Sequence, residues 1–97
     1  MAEHRYFLRG EIDLESAATI RAELMAVVAS DRAQLLVDCA QLTFIDSTGI
    51  AILLEVNSEL EADGRHMLIV NVPASLRHVF EVLVLTDLLH YDSKPAA

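Results

Sequence analysis

Apolar and polar positions along the chain fall into alternating short and long blocks. Tyr6 to Leu8 is a brief β-prone run, and Gly10 marks a bend after it. Glu11-Ile12-Asp13 follows, with Asp13 placed to cap a helix beginning near Leu14. From Glu15 to Ala29 the apolar residues Ala17, Ile20, Leu24, Val27 and Val28 recur at helical spacing, with Arg21 and Glu23 mainly on the other side. Asp31 and Arg32 interrupt that pattern. Gln34 to Cys39 holds a short unbroken apolar run, which predicts a strand covered on both faces. Leu42 to Ile45 leads into Asp46, and a second helix is predicted from about Ser47 to Ala62, stopped by Asp63-Gly64. His66 to Val72 contains Met67-Leu68-Ile69-Val70, the second central strand. Pro73 opens a third helix, where Leu76, Val79, Phe80 and Leu83 share a face. Leu88 to Tyr91 adds a candidate edge strand, and Ser93 to Ala97 reads as a tail.

Helices alternating with buried strands predict an α/β domain with a mixed, mainly parallel sheet and helices packed against it. No internal repeat, linker or low-complexity segment interrupts the pattern, so residues 1–97 read as one small domain with its core over about 6–91. Just over half of the residues are apolar, enough for a sizeable interior.

Charge narrows the function classes. Seven Lys and Arg against fifteen Asp and Glu give a formal net charge of −8, which disfavours nucleic acid and anionic membranes and suits a basic protein partner. No apolar stretch approaches the ~18 residues that span a bilayer, and the N-terminus lacks the layout of a signal peptide. The expectation is a cytoplasmic protein without membrane insertion. Cys39 is the only cysteine, which excludes an intramolecular disulfide and reads as a small buried hydrophobe. His4, His66, His78 and His90 are scattered, with no pair at metal-ligand spacing. No glycine-rich phosphate loop is present, so no bound cofactor is expected.

The most unusual segment is Phe44-Ile45-Asp46-Ser47-Thr48-Gly49-Ile50-Ala51. It is a turn that delivers a hydroxyl to the start of a helix. Asp46 can cap free amides and leaves Ser47 at about the first helical position. Gly49 costs roughly 1 kcal/mol inside a helix relative to Ala, a cost reduced in the first turn, and it would leave backbone uncovered beside Ser47. Ala51, Ile52 and Leu54 spread apolar groups around the first two turns, either beneath a neighbouring element or as a docking patch. A phosphate on Ser47 would add about −1.5 to −2 charges. Remaining free amides and the helix dipole would favour it locally, whereas Asp46 and the acidic protein would oppose it. An apolar contact made at this face would be lost.

These residues resemble the STAS family, specifically the bacterial anti-sigma factor antagonists. The resemblance rests on Gly10-Glu11-Ile12-Asp13, Leu36-Val37-Asp38, Phe44-Ile45-Asp46-Ser47-Thr48-Gly49, Gly64 before Met67-Leu68-Ile69-Val70, and Leu76 with Val79-Phe80. It implies a non-catalytic phosphoprotein that controls transcription by partner switching. The unphosphorylated form would bind an anti-sigma factor serine kinase and release the sigma factor. ATP-dependent phosphorylation at Ser47 would switch binding off, and a serine phosphatase would reset it. Thr48 is the weaker alternative phosphoacceptor. The partner-binding set implied by motif and resemblance is Asp13, Asp46, Ser47, Thr48, Gly49, Ile50 and Ile52. An unphosphorylated accessory subunit of a transport complex, or a stressosome-like scaffold, is the alternative. A Ser47-His78-Asp46 hydrolase is disfavoured because no Gly-x-Ser-x-Gly elbow exists.

Overall fold

The computed structural model describes residues 3–30, 32–85 and 90–91. The elements in chain order are β1 (Glu3–Phe7), β2 (Gly10–Ile12), α1 (Leu14–Ser30), β3 (Gln34–Asp38), β4 (Leu42–Ile45), α2 (Ser47–Ala62) and β5 (Met67–Val70). A 3₁₀ turn (Ala74–Leu76), α3 (Arg77–Leu85) and β6 (His90–Tyr91) complete the chain. Strands β1-β3-β5-β6 form one sheet and β2-β4 a second, two-stranded one. All four described ladders are parallel, so the antiparallel component allowed for in a mixed sheet is not found among the described residues.

Two of these strands were not legible as separate elements. The chain runs β1 beside β3, breaks, and pairs again as β2 beside β4. The break lies at Gly10 (φ +71°), a left-handed position that costs an L side chain about 1–2 kcal/mol. The Gly10 amide donates to the Gln41 carbonyl at 2.9 Å, and the ladder register shifts between Gly10 and Glu11. β2 is three residues long, too short to display a period of two. The first strand also starts earlier than predicted, at Glu3.

Parallel register fixes which side chains share a face of the four-stranded sheet. Tyr6, Val37 and Ile69 are level with one another, as are Leu35 and Met67. These residues join the core with Leu24 of α1, Leu53, Val56 and Leu60 of α2, and Phe80 of α3. The opposite face carries Arg5, Phe7, Leu36, Asp38, Leu68 and Val70. Burial of β3 on both sides agrees with its continuous apolar run.

Helix α2 has the predicted bounds, and its Asp63-Gly64 stop carries amide bonds from Gly64 to Glu61 O and from Arg65 to Leu60 O. The third helix differs. The segment after Pro73 is a 3₁₀ turn, and α3 begins at Arg77. Phe80 is fully buried and Leu76 packs on the core, but Val79 is 37% exposed and leaves the predicted inward face. Of that face, the Leu83 side chain lies outside the described residues, as do the tail and the 88–89 part of the last strand.

Candidate partner-binding site

The site is built from the ends of β2 and β4. Beyond the last paired residues, the Asp46 amide donates to the Ile12 carbonyl at 3.2 Å. That bond carries the ladder one step further and brings Asp13 and Asp46 to the same edge. It is the carboxyl end of the strands, where loops of α/β sheets gather their functional groups.

Each aspartate then starts a helix. Asp13 Oδ1 accepts the Glu15 amide at 3.0 Å and the Ser16 amide at 3.2 Å. Ser16 Oγ accepts the Asp13 amide at 3.0 Å in return, a reciprocal cap that satisfies donors on both sides. Asp46, in an extended conformation, accepts the Thr48 amide at 2.9 Å and the Gly49 amide at 3.2 Å through Oδ1. Ser47 is the first residue of α2 and is exposed.

An open pocket of about 410 Å³ lies between the two helix starts, lined by Asp13, Leu14, Glu15 and Asp46. Three of its four lining residues carry carboxylates. Leu14, at 80% exposure, is the most exposed large apolar side chain among the described residues. Neither Leu14 nor Glu15 belongs to the set expected from the sequence. Spacing gave no signal for Leu14, since it lies three positions before Ala17 and reads as an extension of the inward stripe Ala17-Ile20-Leu24.

Two expectations about α2 need correction. Gly49 is buried and leaves no backbone open beside Ser47, because a Cβ there would lie 2.6 Å from Ile45 Cγ1 and 2.8 Å from Ile12 Cγ2. Its role is close packing of the first helical turn onto the strand ends. Ile52 is only 6% exposed and belongs to the core, while Ile50 and Leu54 are half-buried against it. The apolar surplus is therefore mostly covered, and Gly49 and Ile52 present no docking surface. At the helix start Asp46 occupies the Thr48 and Gly49 amides, as its expected capping role requires, so these two are not open to an anion. Thr48 is half-buried, less accessible than Ser47.

Asp38, whose role the sequence left open between a turn and the rim of the site, is a buried tie between strands. It accepts the Ala40 amide at 3.0 Å, the Asn71 side-chain amide at 3.2 Å and the Arg5 guanidinium. Burial pushes its pKa up, but these three donors outweigh that effect and hold the carboxyl below its usual value. Next to it, burial and the Asp38 charge push the Cys39 thiol up to about 12, in keeping with an inert core residue. The Asp46 carboxylate is engaged by its own helix and does not orient an imidazole as a hydrolytic triad would require. Among the described residues, no group of three or more His, Cys, Asp or Glu could hold a metal ion, and no helix is long and apolar enough to cross a membrane.

Paired strand ends, two capped helices and an open acidic pocket form a candidate binding surface on a small α/β fold. A model of the STAS domain matches residues 5–96, and the chain belongs to the STAS domain family. Solved structures share the fold. The anti-sigma factor antagonist SpoIIAA in its unphosphorylated form superposes with a TM-score of 0.72 at 22% identity, over 95% of this chain and 80% of that one. The Bacillus cell fate determinant SpoIIAA in its phosphorylated form gives 0.71 at 24% identity, over 95% and 84%. A Thermotoga maritima protein described as a candidate anti-sigma factor antagonist gives 0.79 at 13% identity, over 94% and 80%.

Proposed function

We propose that this chain is an anti-sigma factor antagonist acting in the cytoplasm, with Ser47 as the phosphoacceptor of an anti-sigma serine kinase. The observation that carries this reading is the position of Ser47: an exposed hydroxyl at the first residue of α2, immediately after the Asp46 cap. Similarity to SpoIIAA, known in unphosphorylated and phosphorylated forms, supports the same assignment. In this reading the unphosphorylated surface of Asp13, Asp46, Ser47, Thr48 and Ile50 docks on the kinase and frees its sigma factor. The protein itself is non-catalytic. ATP is held by the kinase, and a serine phosphatase restores the binding form.

Phosphate on Ser47 would place about −1.5 to −2 charges beside Asp46 and Asp13, on a face that must shed water to bind. Uncompensated charge at such a contact costs several kcal/mol. The test is incubation with the cognate anti-sigma kinase and ATP, read by intact mass. One added phosphate is expected, absent in Ser47→Ala, with kinase binding lost in Ser47→Asp. Stable kinase binding that Ser47→Asp leaves unchanged, with no phosphate incorporated, overturns the assignment.

A further inference from the structure

Leu14 has no structural reason to be a leucine. It occupies the first position of α1, packs into no part of the core, and stands 80% exposed. The Asp13 cap works through its own carboxylate, so the helix start does not depend on the residue that follows. Yet this side chain forms one wall of the pocket between the two helix starts, with Asp13, Glu15 and Asp46 around it.

A second apolar group borders the same face. Phe44 is 46% exposed on β4 and pairs in register with Glu11, which is exposed. The strand remains extended through Asp46, so Phe44 and Asp46 point to one side while Ile45 points into the core. Going along this face, Phe44 and Glu11 come first, then Asp46 and Asp13, then Leu14, with Ser47 beside them.

Apolar side chains within a ring of carboxylates have a defined complement: an apolar socket bordered by Lys or Arg. Water is excluded by the apolar contact, and the surrounding charge pairs fix orientation and speed encounter. The net charge of −8 favours the same basic partner. We propose that Leu14 is the apolar anchor and a specificity-determining residue of the partner contact, seated in a basic-rimmed socket on the anti-sigma kinase, with Phe44 bounding the contact at its other end. The proposal rests on the kinase-binding reading of the Ser47 face.

The anchor is tested by calorimetric titration of the purified cognate kinase with wild-type protein and with Leu14→Ala, Leu14→Gln, Phe44→Ala and Ser47→Asp. Val82→Ala, at an exposed position on α3, is the control. Circular dichroism verifies that each variant is folded. Loss of a buried leucine contact corresponds to roughly a 10- to 100-fold weaker Kd. That loss is expected for Leu14→Ala and Leu14→Gln, with Val82→Ala unchanged. Leu14 variants that bind like wild type while Ser47→Asp does not overturn the anchor and leave the kinase reading standing. Absence of binding by the wild type, or binding indifferent to Ser47→Asp, overturns both.

Discussion

Gly49 and Ile45 are in such close apposition that a methyl group on the glycine would stand 2.6 Å from Ile45 Cγ1. The same methyl would meet Ile12 Cγ2 at 2.8 Å, and both carbons are attached directly to a Cβ rather than being the flexible tip of a long chain. Relief therefore requires a shift of α2 away from β2 and β4. Gly49→Ala gains about 1 kcal/mol in helix propensity, against about 1–3 kcal/mol for overpacking. Urea denaturation should show a net loss of the order of 1 kcal/mol. A more stable Gly49→Ala protein would refute the packing role.

Asp46 combines a structural and an electrostatic task that two substitutions separate. Asp46→Ala removes the acceptor for the Thr48 and Gly49 amides and should destabilise by about 0.5–2 kcal/mol. For a chain of this size that is a fall in Tm of several degrees, at about 4–8 °C per kcal/mol. Asp46→Asn keeps an acceptor oxygen and should retain most of the stability while removing one charge from the pocket. Thermal unfolding of the pair measures the split, and equal destabilisation of both variants would refute the capping account.

The Asp38 tie predicts a pH dependence with a definite sign. Its folded pKa lies below that of an unfolded aspartate, which is about 3.9. Its contribution is therefore complete above about pH 4 and is lost as pH falls further, where the unfolded chain takes up the proton first. Urea midpoints for wild type should drop more steeply below pH 4 than those for Asp38→Asn. Parallel curves would mean that Arg5, Asn71 and the Ala40 amide do not favour the charged form.

The sequence was informative where an element is long or sharply punctuated. Asp46 and Asp63 bracket α2, and Asp13 marks the start of α1, because caps are local chemistry carried by single residues. β2 was invisible because pairing between Gly10–Ile12 and Leu42–Ile45 depends on a distant partner and not on a local period. The candidate site was half legible. Ser47 and both aspartates follow from capping and motif, whereas the burial of Gly49 and Ile52 reflects how closely α2 sits on the strand ends. Glycine in a first turn reads equally as open backbone or as tight packing until the neighbouring Ile12 and Ile45 are in place. Leu14 was overlooked for a different reason: an apolar residue at a helix start is expected to turn inward, and only solvent exposure sets it apart.

The occupation of the Thr48 and Gly49 amides by Asp46 has a consequence for any group attached to Ser47. With those two donors already satisfied, such a group draws less on its own helix start than an uncapped helix would offer. In the proposed reading the domain would then carry the mark at its surface rather than through a change of fold. Its history would be written only on the outside, legible to whichever molecule next touches that corner.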